Sequence, residues 1–192
     1  MHLILTSCDF SNENSRKIIF ENLKQPVDKC RILFIPNERA RRNAILSDKF
    51  YIHLMQYGFL RENIYVLDYY DPEKFQNLAI DAIFVGGGNT FGTFYRIKKH
   101  GFLEPLKRYI ESGVTYIGGS AGVHIVSKST EHVLPYDPDR NHTEDYTALG
   151  YFDGIIICHF CDERREHYER LKAEGKYKVY TLTNDEAIVI NT

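Results

Sequence analysis

The sequence predicts an α/β fold: three layers, with a mostly parallel sheet carrying helices on both faces. Three observations lead there. Short apolar, β-branched runs alternate with segments of helical periodicity along most of the chain. Several of those runs are apolar without alternation, as strands covered on both faces require. Two glycine-rich turns, Gly86–Asn89 and Gly118–Gly122, directly follow such runs, and sheets of this kind keep their sites beyond the carboxyl ends of the strands.

Taken in order, Leu3–Thr6 reads as a first strand, and Ser11-Asn12-Glu13-Asn14 as the start of a helix that shares Ile18, Ile19 and Leu23 on one face. Arg31–Ile35 is a second strand, stopped by Pro36. A helix is expected from Ile45 to Leu60, with Gly58 ending it. The preceding Arg39-Ala40-Arg41-Arg42 could bind an anion but reads first as a solvated helix face. Asn63–Leu67 is a third strand and Glu73–Ala79 a short helix. Ala82–Val85 is a fourth, fully apolar strand, and a helical region follows through Ile110, interrupted near Gly101. Val114–Ile117 is the fifth strand and leads into a helix over Gly122–Val126. The polar stretch Ser127–Tyr151, with Pro135 and Asp137-Pro138, reads as loops and short strands. Gly154–Ile157 is a further strand and Asp162–Lys172 a helix. Tyr177–Leu182 and Ala187–Ile190 are expected to pair as a closing strand pair.

The 192 residues suit a single domain spanning 1–192. A formal net charge of −2 gives no electrostatic case for nucleic acid or an anionic membrane. No apolar run approaches the roughly 20 residues of a membrane span, and the first residues read as a buried strand rather than a signal peptide. A cytoplasmic protein is therefore expected, with its four cysteines reduced. Cys158-His159-Phe160-Cys161 contains one Cys-x-x-Cys, which without a second pair is a weak zinc signal. No metal or cofactor is expected. The glycine loop at Gly86 has neither the Walker lysine nor the dinucleotide spacing, which argues against nucleotide binding.

The chemistry centres on Gly118-Gly119-Ser120-Ala121-Gly122. A serine on a tight strand-to-helix turn has strained backbone angles, and flanking glycines let neighbouring backbone come close. Its hydroxyl needs a base. Among eight histidines, His159 follows a strand at the edge where Ser120 should lie. His124 is one helical turn past the serine, and His132 and His142 fall in the loop region. An orienting carboxylate should come from Glu131, Asp137, Asp162 or Glu163, among which sequence does not choose. The amides of Ala121 and Gly88 are the natural oxyanion donors.

Val85-Gly86-Gly87-Gly88-Asn89-Thr90-Phe91, then Tyr116–Gly122, then His159-Phe160, resemble the peptidase E (aspartyl dipeptidase) family of S51 serine peptidases, in matching order. That resemblance implies a class I glutamine amidotransferase-like (flavodoxin-like) fold. It also implies metal-free cleavage of small peptides with an N-terminal aspartate. It matches Ser120 to the nucleophile, His159 to the base, and Gly88 and Ala121 to the oxyanion donors. The family's acid falls just before an Asp-Pro in the loop after the elbow, where Glu131 is the nearest carboxylate. Arg165, after the histidine, is the closer match to the arginine that holds the substrate's aspartate, and Asn89 is a second substrate-binding candidate. A small peptide is the expected partner, and a homodimer is left open. The rival readings are an inactive binding or regulatory protein on the same scaffold, a cyanophycinase-like isopeptide hydrolase, and an α/β-hydrolase esterase.

Overall fold

Eight strands and seven helices follow one another in the computed structural model, which describes residues 1–192. The strands are β1 (His2–Thr6), β2 (Ile32–Ile35), β3 (Ile64–Val66), β4 (Ala82–Val85), β5 (Thr115–Gly119), β6 (Ile155–Ile157), β7 (Val179–Thr181) and β8 (Ala187–Asn191). The helices are α1 (Glu13–Glu21), α2 (Arg42–Ile45), α3 (Lys49–Met55), α4 (Thr90–Lys99), α5 (Leu103–Glu111), α6 (Ala121–Val126) and α7 (Arg165–Glu174). The main sheet runs β3-β2-β4-β5-β1-β8, parallel except for β8. Strands β1, β2, β4 and β5 are buried along their whole length. That is why they read as unbroken apolar runs: both faces are covered.

Register puts the site together. Thr6 lies opposite Gly119, and Val85 opposite Gly118, so three strands end side by side. The turns that follow them, after Thr6, Val85 and Gly119, therefore share one sheet edge. The apolar core of Leu3, Leu33, Ile83, Ile117 and their neighbours fixes this edge from below.

Three expectations change. Tyr177–Leu182 and Ala187–Ile190 do not pair with each other. β7 joins β6 in a separate parallel pair, while β8 runs antiparallel along β1. The free edge of β1 offered β8 a full five-residue ladder, a non-local pairing that local pattern does not encode. The helix expected over Ile45–Leu60 is two pieces, α2 and α3, divided near Ser47 and Asp48. Those two side chains compete for local backbone and favour turns. Gly58 does end the segment, at φ +99°. The helix expected over Glu73–Ala79 is only a 3₁₀ turn, Pro72–Phe75.

Candidate active site

Ser120 sits between β5 and α6 at φ 44°, ψ −96°. A non-glycine residue in such a region stores roughly 1–3 kcal/mol of strain and needs its surroundings to hold it. Here they do. The Ser120 N–H donates to Thr6 O at 2.9 Å. The buried Tyr116 hydroxyl donates to Gly122 O at 2.7 Å. A Cβ on Gly122 would come within 2.2 Å of Val85 O, so only glycine lets α6 cross β4 here.

His159 follows β6 at φ 52°. Its N–H donates to the buried Ser7 hydroxyl at 3.0 Å, which ties it to the end of β1. Its Nε2 lies 3.1 Å from Ser120 Oγ. Its Nδ1 lies 2.8 Å from Asn184 Oδ1. With Nδ1–H donating to that oxygen, Nε2 is left as the acceptor facing the serine hydroxyl. The Cys8 thiol is 3.9 Å from the same Nδ1, and burial pushes it up from the usual thiol range, keeping it protonated.

Two backbone amides stand open beside the serine. The N–H groups of Gly88 and Ala121 donate to no protein acceptor. Gly88 has φ +151°, and a Cβ there would sit 2.9 Å from Asn37 Cβ. Around it, Glu38 Oε2 accepts from Asn89 N at 3.1 Å and Asp137 Oδ2 from Thr90 N at 2.8 Å. Burial raises the Asp9 carboxyl above the usual carboxylate range, against the pull of the Ser11 and Gly87 N–H groups.

The other sequence candidates divide sharply. Glu131 is exposed and pairs with Lys176 at 2.9 Å, away from His159. Asp137 holds α4, and Asp162 pairs with Arg165 at 2.7 Å. Glu163 is exposed, and a hydrogen bond with the Cys161 side chain holds it below the usual carboxylate range. No carboxylate meets the His159 ring, and its Nδ1 faces Asn184 instead, in the turn between β7 and β8. Arg165 points to Asp162 and does not line the cavity, whereas its neighbour Arg164 does. Arg164 donates to Cys158 O and stacks 4.0 Å over Tyr136. Asn89 caps α4 by accepting from Gly92 N at 2.8 Å. Arg39, expected on a solvated face, lines the cavity and pairs with Glu38 at 3.1 Å.

His142 is exposed, and His124 and His132 are buried in an edge-to-face pair, 5.2 Å between rings. Burial pushes His124 well below its usual value and His132 down to about 4. Cys158 is buried, with its thiol at about 12 from burial, and Cys161 is exposed. The whole site opens into one cavity of about 980 Å³. No helix is long and apolar enough to cross a membrane.

A doubly covered sheet presents a serine on a strained turn, an imidazole on its hydroxyl and two open amides, the arrangement that activation of a serine hydroxyl requires. The chain belongs to peptidase family S51, whose model matches residues 3–192. It is 31% identical over 115 residues to the uncharacterized peptidase Lmo0363 of Listeria monocytogenes, covering 57% of this chain and 56% of that one. It is 24% identical over 158 residues to peptidase E of Haemophilus influenzae PittGG, covering 82% and 66%. The matches span about half the length of several such relatives. A crystal structure from Listeria monocytogenes EGD-e, named for peptidase E, superimposes with a TM-score of 0.75 at 26% identity, over 98% of this chain and 93% of that one. A peptidase from an acI-B1 Actinobacterium shares the fold at a TM-score of 0.66 and 16% identity, over 99% and 83%.

Proposed function

We propose that this chain is a serine peptidase that hydrolyses small peptides, with preference for an acidic N-terminal residue, through an acyl-enzyme. The observation that carries the reading is the 3.1 Å contact between His159 Nε2 and Ser120 Oγ on a strained turn. Ser120 Oγ attacks the scissile carbonyl as His159 Nε2 takes its proton. The Gly88 and Ala121 amides hold the developing oxyanion, an effect worth roughly 3–4 kcal/mol of barrier per lost donor. His159 then gives the proton to the leaving amine, and water repeats the sequence to free the acid. Asn184 holds the imidazole in the tautomer this requires. Arg164, one of the arginines lining the cavity, is our choice for the group that meets a substrate carboxylate, a pairing that suits its fork.

Hydrolysis of Asp-Ala against Leu-Ala tests the reading, together with labelling by a fluorophosphonate probe. The wild type should cleave Asp-Ala preferentially and take up the probe, and Ser120→Ala should do neither while melting as a folded protein. Undiminished turnover in Ser120→Ala would end the proposal. One observation favours a second reading, an inactive binding protein: the orienting group is an amide rather than a carboxylate. On that reading the wild type stays unlabelled.

A further inference from the structure

Three carboxylates line the cavity that holds Ser120: Asp9, Glu38 and Asp137. They are not equally free. Glu38 Oε2 accepts from Asn89 N and Thr93 Oγ1, and its Oε1 accepts from Arg39 Nε at 3.1 Å. Burial disfavours the charged form of Asp9, whose Oδ1 also accepts from Ser11 N. Asp137 alone keeps an oxygen open. Its Oδ2 accepts from Thr90 N at 2.8 Å, no protein donor meets Oδ1, and no lysine or arginine forms an ion pair with it.

The place of Asp137 is fixed from both sides. One residue on, Pro138 O accepts from Asn89 Nδ2 at 3.0 Å; one residue back, the Tyr136 ring lies 4.0 Å from the Arg164 guanidinium. Thr90, which Asp137 holds, is two residues past the open Gly88 amide, at most about 7 Å of chain. Its Oγ1 lies 3.0 Å from Nδ1 of His124, one helical turn after Ser120. The carboxylate is also felt behind the nucleophile. Burial pushes the Cys158 thiol up to about 12, with the Asp137 charge adding to the rise, and Cys158 Sγ is 4.0 Å from Ser120 O. Asp137 and Arg164 thus flank Tyr136 beside the serine, opposite in charge and not paired with each other.

We infer that Asp137 is the specificity residue that receives the free α-ammonium group of the substrate's first residue, while Arg164 receives its side-chain carboxylate. The inference rests on the function proposed above. A substrate's ammonium lies two bonds from the scissile carbonyl carbon, so the group that meets it must stand close to the oxyanion donors. The cavity, at about 980 Å³, is at the upper end for small-ligand sites. Its walls alone would admit acylated and internal sequences, and the charge of Asp137 sets the requirement for a free N-terminus. A charge-assisted hydrogen bond in a partly solvated cavity should tighten binding about tenfold.

The test is calorimetric binding of Asp-Ala and of succinyl-Ala to Ser120→Ala, which needs no turnover. Succinyl-Ala differs from Asp-Ala only in having hydrogen in place of the α-ammonium. Asp-Ala should bind about tenfold more tightly. Adding Asp137→Asn keeps an oxygen for Thr90 N and removes the charge, so the ratio should fall to about one, with the melting temperature confirming the fold. A merely structural role would weaken both ligands alike and leave the ratio unchanged. Equal affinities in the parent, no binding of Asp-Ala, a preference that survives Asp137→Asn, or loss of both ligands in that variant overturns the assignment, and the parent comparison stands without the variant. Failure of the wild type to cleave Asp-Ala would instead overturn the peptidase reading, and the two results are read independently.

Discussion

If Asn184 orients His159, changing it should move activity in opposite directions according to the replacement. Asn184→Ala removes the 2.8 Å hydrogen bond to His159 Nδ1. A net hydrogen bond is worth about 0.5–1.5 kcal/mol, so kcat/KM should fall about three- to tenfold. Asn184→Asp keeps the acceptor and adds a charge about 4 Å from the imidazolium formed during attack, which is worth about 1 kcal/mol in water-like surroundings and about 4 at an effective dielectric of 20. Asn184 is exposed and His159 half-buried, so the lower end applies. About 1 kcal/mol gives roughly a fivefold rise in kcat/KM. The sign for pH follows from the charge. A carboxylate favours the protonated ring, so the acid limb of the rate profile should move up by about one pH unit. The assay is kcat/KM for Asp-Ala from about pH 5 to about pH 9 in the wild type and both variants. The turn itself is held by backbone, with Asn184 O accepting from Ser15 Oγ at 3.4 Å, so neither change removes that anchor. Equal losses in both variants, with the acid limb unmoved, would refute the orienting role.

Other outcomes follow from the same geometry. Gly122→Ala puts a methyl 2.2 Å from Val85 O. Denaturant melts should show a loss of about 3 kcal/mol or failure to fold, and a stable variant would show that α6 can move away from β4. Glu131→Gln should leave kcat/KM within about twofold, because an exposed ion pair with Lys176 is all it breaks. A large loss would return Glu131 to the site. His132, held down to about 4 by burial, is neutral when folded and charges more readily when unfolded. The unfolded state then binds the extra proton, so this contribution, up to about 3 kcal/mol, is lost as pH falls from about 6.5 toward 4. His124, also held low, adds to it. A melting temperature that stays flat from about pH 7 to about pH 5 would contradict this.

Much of the site could be read from the chain because its determinants are local. A glycine that lets α6 cross β4, a serine on a strained turn and a histidine closing an apolar strand each leave a mark within a few residues. What escaped was set by rotation or by distant pairing. Arg164 and Arg165 are neighbours in sequence, yet the first precedes α7 and faces the cavity while the second turns to Asp162. Successive residues at a helix start point about 100° apart, and no motif records which one faces inward. Asn184 lies 25 residues beyond His159. It reaches the ring only because β8 turns back along β1 rather than pairing with β7 as the sequence leads one to expect. Nothing about an asparagine in a polar turn distinguishes it from an ordinary turn residue.

The absence of a carboxylate at the imidazole has a structural counterpart on the other side of the serine. Three acids crowd the glycine loop, and each faces backbone amides: Asp9 toward Gly87, Glu38 on Asn89 and Asp137 on Thr90. Amides pointing into one small space repel as parallel dipoles, and a helix N-terminus adds its own positive end. A loop of three glycines would otherwise relax that crowding by turning its peptides outward. With Asn89 and Thr90 held, Gly88 keeps its N–H open, at a backbone angle no other residue adopts readily. If Ser120 and His159 act as proposed, the acids of this site fix where negative charge is received, and the neutral amide of Asn184 fixes where the proton goes. On this arrangement, loss of Asp137 or Glu38 should damage the oxyanion step more than any substitution at Glu131.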